Sequence, residues 1–184
     1  MVHRKEVIVP EAFNKYVEAA GEDYLMDALR KNRKQFRKLL KKIPSKKIDF
    51  AYAEGKWTLR ELLQHIIDAE RVFVLRAMWF ARKDPSPLPG FDENNWALTS
   101  KASARNWKEM ISEFKKLRAS TEHFFSSLDP DQVTASGTAN NKVMNVAGLG
   151  FVCAGHVAHH CRIIKERYLI GKKGRKSKNE TVVF

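Results

Sequence analysis

The chain has 184 residues, 43% of them hydrophobic, which fits one domain with a sizeable core. No apolar run reaches the eighteen or so residues that a bilayer span needs, and Met1–Glu6 opens without a signal-peptide core; a soluble, intracellular, cytoplasmic protein is expected. The formal charge of +13 leaves an acidic partner possible, but its basic clusters (ten Lys and Arg in 30–47, five in 172–178) come with no base-reading motif, so a solvated helix face and a basic tail are the plainer reading.

In chain order, residues 1–20 read as a lead-in that Pro10 keeps from forming an early helix, with Phe13, Tyr16 and Val17 able to pack it onto the body. A first long helix is expected from Glu22 to about Lys42. Its buried side is marked by Tyr24, Leu25, Ala28, Leu29, Phe36, Leu39, Leu40 and Ile43, and Pro44-Ser45 ends it.

Thr58-Leu59-Arg60-Glu61 has the pattern of a capping box, with Trp57 before the cap as an apolar staple. The second helix then runs to about Arg82. Leu59, Leu62, Leu63, Ile66, Phe73, Ala77 and Phe80 form its stripe, and Glu70 falls within it. A buried carboxylate needs a partner, and Arg71, Arg76 or a tyrosine hydroxyl are the candidates. His65 lies on the flank of the stripe with Ala69, Val72 and Arg76.

Pro85, Pro87, Pro89 and Gly90 end that helix and open a long loop through Trp96, of a length that often carries function. The third helix is expected from Ser103 to Ser127, followed by a turn at Asp129-Pro130 and a polar loop from Thr134 to Asn141. The fourth starts at an Asn145 cap and runs to about Ile170, apolar nearly all round and so buried on most sides. Gly148, Gly150 and Gly155 each cost about 1 kcal/mol against Ala inside a helix, which points to close approach by a neighbour. Strand signal is poor except at 181–184.

Four long amphipathic segments read as an all-α four-helix bundle covering residues 1–171, with 172–184 a flexible basic tail and the connection between the second and third helices a crossing loop. Cys153 and Cys161 are eight apart on one helix, roughly 12 Å, too far for a disulfide; reduced, buried thiols are expected.

The histidines carry the chemistry. His156 and His160 are four apart and share one helix face, where two imidazoles can grip one divalent ion. His65, deep in another apolar helix, is the candidate third ligand. Three neutral imidazoles suit Zn²⁺, Ni²⁺, Fe²⁺ or Cu²⁺ and leave coordination positions open, as catalytic sites do; water bound there could ionise near neutral pH. Hydrogen-bonded core histidines are the competing reading, and spacing alone does not choose. His159 lies one residue off the pair. Asp68 could hydrogen-bond a ligand imidazole or sit in solvent. Arg76 and Arg167 could anchor an anionic substrate. No acid–base residue beside the ligands is visible.

Gly55-Lys56-Trp57-Thr58, His65-Ile66-Ile67-Asp68-Ala69-Glu70-Arg71, Pro87-Leu88-Pro89-Gly90-Phe91-Asp92, Ala154-Gly155-His156-Val157-Ala158-His159-His160 and Lys165-Glu166-Arg167-Tyr168-Leu169 together resemble the DinB-like superfamily, in order and spacing over roughly residues 10–170. The resemblance implies an up-down-down-up four-helix bundle of the DinB/YfiT type. It implies a divalent metal, Ni²⁺ or Zn²⁺ first, on His65, His156 and His160. It also implies a homodimer and either a metal-dependent hydrolase or a thiol-dependent S-transferase acting on a small molecule with a thiol such as bacillithiol or mycothiol. A non-catalytic metal-binding or stress-response protein is the alternative, and a basic nucleic-acid-binding module the last.

Overall fold

The structure is a computed structural model describing residues 1–169. The expected tail and the strand signal at 181–184 therefore lie outside the described residues. Among the described residues, eight α-helices and one hairpin follow in order: α1 (Asn14–Ala19), α2 (Leu25–Leu40), α3 (Ser45–Ile48), α4 (Leu59–Ala81), α5 (Glu93–Thr99), α6 (Trp107–Ser126), α7 (Pro130–Thr134), β1 (Ser136–Ala139), β2 (Lys142–Asn145) and α8 (Val146–Ile163). α8 continues as a π-helical turn over Ile164–Leu169.

The long helices form where cap and stripe agree. At the start of α4, Thr58 Oγ1 accepts from the Glu61 amide (3.2 Å) while the Glu61 carboxylate accepts from the Thr58 amide (2.8 Å), the reciprocal box the sequence predicts. Asn145 Oδ1 accepts from the Gly148 amide at the start of α8 and also from the amide of Ile8. One cap thus serves the helix and pins the lead-in to it. α2 buries Leu25, Ala28, Leu29, Asn32, Phe36 and Leu40. Tyr24, expected on that buried side, is instead 42% exposed, because it sits at the cap before the helical period begins.

α2, α4, α6 and α8 make a four-helix bundle. α8 and α6 each pack against both α2 and α4, so α2 and α4 face each other across a diagonal. The core divides into two clusters that give the direction of each helix. Leu25 to Leu29 of α2, Phe73 to Ala81 of α4, Phe125 of α6 and Val146 to Ala154 of α8 share one end. Phe36 and Leu40 of α2, Leu59 to Ile67 of α4, Met110 and Phe114 of α6 and Val157 and Cys161 of α8 share the other. The order is up-down-down-up. Because α4 and α6 run the same way, residues 82–106 must travel back along the bundle, which is why this connection is long.

One side chain touches all four long helices. Arg118 of α6 is fully buried and donates twice to the Glu70 carboxylate of α4, both bonds 2.7 Å. It also donates to Cys153 O of α8 (3.1 Å) and makes a long contact with Leu29 O of α2 (3.5 Å). Thr121 Oγ1 adds a third bond to Glu70 (2.8 Å). The partner expected from nearby in sequence, Arg71 or Arg76, is not the one used. Arg71 points outward to Asp68 and Glu113, and Arg76 turns to the following loop.

The second departure is the hairpin, which occupies part of the expected polar loop, so the bundle carries a small two-stranded sheet. Asn140 and Asn141 both adopt the left-handed region (φ 50° and 58°), the geometry of a type I′ turn between paired strands. The strands are too short and polar to show a period-two pattern.

Removing one partner of a buried ion pair strands the other charge, at a cost of roughly 3–5 kcal/mol. Arg118→Ala is expected to destabilise the protein by that amount in urea unfolding. The double variant Glu70→Ala/Arg118→Ala should cost less than the sum of the singles, because no charge is left unpaired.

Candidate metal centre

α4 and α8 cross where His65 meets His156 and His160. The Nε2 atoms converge: His65 to His156 is 3.1 Å and His160 to His156 is 3.0 Å. The three residues are 5%, 2% and 4% exposed, and their ligand nitrogens lie within 4.8 Å of one another.

This convergence is hard to account for by hydrogen bonding alone. A neutral imidazole has one N–H and one lone pair, so His156 Nε2 cannot make a full bond to both neighbours at once. Ligands held tetrahedrally at about 2.0–2.1 Å from Zn²⁺ stand about 3.3 Å apart, close to the spacing seen here. Protonation as an alternative is opposed by the surroundings. Burial, with the charge His159 would carry, pushes His65 down to about 4. Burial, followed by the neighbouring imidazoles, holds His156 and His160 well below the ordinary histidine range. Neutral imidazole is the ligand form, so the donor set fits a divalent ion.

The walls are aromatic. The Trp57 ring lies 4.7 Å from His65, tilted 40°, and the Trp57 carbonyl accepts from the Tyr168 hydroxyl (2.6 Å) beyond the end of α8. Phe73 stands edge-on to His156 at 5.6 Å. Tyr16 stands edge-on to both His156 (5.5 Å) and His159 (5.4 Å). Tyr16 reaches this position because α1 lies directly on α8 at Gly155. A Cβ there would sit 1.6 Å from Tyr16 O, so any side chain would drive α1 away from the histidines. The glycine cost noted in the sequence thus corresponds to a specific contact.

The other sequence candidates are placed as follows. His159 is buried beside the triad but outside it, its ring 5.2 Å from that of His160. Asp68 accepts from Gln64 (2.9 and 3.0 Å) and Arg71 (3.3 Å), so its carboxylate faces the outer flank of α4 rather than a ligand imidazole. Arg76 donates to Pro89 O (2.9 Å), and its guanidinium lies 6.0 Å from the centre of the Phe91 ring. Arg167 lies 5.9 Å from the centre of the Tyr52 ring. Cys153 and Cys161 are free, buried thiols; burial pushes Cys161 up to about 12, which keeps it a thiol. Tyr16 and Trp57 have no signature as site residues in the sequence. Gly155 calls for a neighbour without saying which.

A model of the DinB superfamily matches residues 28–164, a span that contains all three histidines. The chain belongs to the DinB superfamily. The solved structure of YfiT from Bacillus subtilis, described as a probable metal-dependent hydrolase with an unusual four-helix bundle topology, superposes on this DinB-superfamily chain with a TM-score of 0.67. It does so over 86% of this chain and 87% of its own, at 15% identity, which establishes the shared fold. Curated proteins from Geobacillus thermodenitrificans (strain NG80-2) and Geobacillus kaustophilus (strain HTA426), both named "Putative metal-dependent hydrolase", are 33% and 35% identical over 51 residues. Those segments are 28% of this chain and 29% of each relative, so the match spans under a third of their length. Among the described residues no helix is long and apolar enough to cross a membrane.

The depressed histidines set a pH dependence. The unfolded chain takes up protons near 6.5, while folded His65 resists until about 4 and the other two resist strongly as well. Stability of the metal-free protein is therefore complete above about pH 6.5 and falls as pH drops below it. Each histidine contributes up to roughly 1.4 kcal/mol per pH unit. Urea unfolding of chelator-treated protein at pH 7.5 and 5.0 measures this, and equal midpoints would contradict it.

Proposed function

We propose that this protein is a divalent-metal-dependent hydrolase of a small molecule, with His65, His156 and His160 as the metal ligands and Zn²⁺ or Ni²⁺ as the ion. The observation that carries the reading is the convergence of three buried, neutral Nε2 atoms from two helices. The names of the curated relatives and of YfiT support the reaction class. A three-histidine set leaves coordination positions open, and a bound ion would acidify water and polarise a carbonyl there.

The chain's own contribution is a dry, shaped surround. Trp57, Phe73 and Tyr16 limit water around the histidines and hold the ligand rings in orientation. The Arg118–Glu70 pair fixes α4 against α6 one turn or so beyond His65, which keeps the separation of α4 and α8 constant. Arg76 holds the loop after α4 through Pro89 O, so its part in substrate binding would be to place that loop.

Metal analysis of purified protein is expected to find about one divalent ion per chain, and the double variant His156→Ala/His160→Ala is expected to hold none. Adding Ni²⁺ or Co²⁺ should quench tryptophan fluorescence in the wild type and much less in Trp57→Phe, because Trp57 packs on a ligand ring. Hydrolysis of simple esters should depend on the ion and fall at least roughly 10²-fold in the double variant, the scale on which general acid–base and electrostatic assistance act. Undiminished hydrolysis by that variant, or a wild type that retains no divalent ion, would overturn the proposal.

A further inference from the structure

We propose that the outer face of α2 is a docking surface for double-stranded nucleic acid, held through its phosphates without reading its sequence. The observation is a stripe of cations that the fold leaves unpaired. At 100° per residue, Arg30, Lys34, Arg37 and Lys41 fall within about 60° of one another, on the side of α2 turned away from its buried Ala28, Asn32 and Phe36. Arg30, Lys34 and Lys41 are exposed and Arg37 is half-buried. α2 as a whole carries six Lys and Arg against one acidic residue, Asp27.

Elsewhere on the same helix the fold does neutralise cations. Lys31 pairs with Glu22, and Arg33 pairs with Glu122 of α6 (3.2 Å). Among the described residues no ion pair reaches Arg30, Lys34, Arg37 or Lys41, and the Arg37 Nε has no hydrogen-bond acceptor. Like charges four apart on a helix repel, and this stripe sets Arg30 against Lys34 and Arg37 against Lys41. The helix dipole favours cations in the last turn, but Arg30 and Lys34 stand before it. The stripe therefore works against the helix that bears it, and an external row of anions would relieve the repulsion. α6 adds to the face. Its Glu122 meets Arg33, and Lys115, about two turns earlier on the same face of α6, is exposed beside α2.

The geometry selects among anionic partners. From Arg30 to Lys41 the stripe runs about 16 Å at 1.5 Å rise per residue. One strand of a duplex sets about five phosphates in that distance, at about 3.4 Å of axis each. A single strand is typically held by bases stacked on aromatic rings, and a membrane surface by apolar side chains set among the cations. Among the described residues, none of the exposed large apolar or aromatic side chains lies in α2. No base-reading motif accompanies the cluster, which leaves the phosphates as the contact. α2 lies diagonally across the bundle from α4, the helix of His65, so this face is turned away from the histidine centre and does not depend on it.

The test measures binding of the full chain to a fluorescent DNA duplex of about 20 base pairs across a salt series. Four phosphate contacts predict a slope of log affinity against log salt of about −4, a loss of roughly 10²-fold between about 50 and 200 mM salt. The variant Arg30→Gln/Lys34→Gln/Arg37→Gln/Lys41→Gln should lose that affinity and the slope, while its midpoint in urea holds or rises because the repulsion is gone. The pair Lys34→Gln/Lys41→Gln, confined to exposed positions, should halve the slope. A control that changes Arg82, Lys83, Lys101 and Lys142 to Gln has the same net charge as the fourfold stripe variant and should bind as the wild type does. Chelator-treated protein should also bind equally, which separates this test from that of the hydrolase reading. A wild type that binds no duplex at about 50 mM salt would overturn the proposal, as would equal losses in the stripe variant and the control. So would undiminished binding by the stripe variant through the basic residues at 172–178, or tighter binding to the single strand or to phosphatidylserine vesicles than to the duplex.

Discussion

The buried pair between Arg118 and Glu70 is the contact on which the bundle's geometry depends. Two charges removed from water are costly, and only a well-satisfied arrangement offsets that cost. Here Glu70 receives three bonds, two from Arg118 and one from Thr121, and Arg118 spends its remaining reach on carbonyls of α8 and α2. Because those carbonyls belong to fixed turns, the pair specifies not only which helices meet but at what height. Apolar contacts are tolerant of sliding; this network is not. It sits where the two halves of the core join, near the level at which His65 faces His156.

Around the histidines the same exclusion of water acts to a different end. Apolar burial disfavours imidazolium, so the three rings remain neutral and present lone pairs to one point. That arrangement is poor as a hydrogen-bonded core and good as a ligand set. Two of the three aromatic walls come from outside the four long helices, Tyr16 from the short α1 and Trp57 from just before α4, while Phe73 comes from within α4. Gly155 is what permits the first, and the Tyr168–Trp57 bond steadies the second. Elements that look like trimmings on the bundle therefore shape its chemistry.

The crossing connection follows from topology. With α4 and α6 parallel, the chain must return the length of the bundle, and in doing so it passes the hairpin and lays α5 against α4. The hairpin, missed in the sequence because its strands are short and polar, earns its place as the anchor for Leu88 and Gly90. The Asn140-Asn141 pair was the available signal, since both residues tolerate the left-handed backbone that a two-residue turn requires.

The amino-acid sequence by itself determined the elements with strong local rules: the Thr58–Glu61 box, the Asn145 cap, the apolar stripes of the four long helices and the four-residue spacing that sets His156 over His160. These are decided within one or two turns of chain, where periodicity and capping act. It also singled out His65, because a histidine deep in an apolar helix, on the flank of its stripe, needs a reason. Only the tertiary structure decided which distant group answered each local demand. Glu70 needed a cation, and its sequence neighbours Arg71 and Arg76 were candidates, yet Arg118 took the role from 48 positions away. Gly155 needed a close neighbour, and the backbone of Tyr16 supplied it. Local patterns state that a partner is required; the partner's identity depends on which helices pack together, and that is a property of the whole chain.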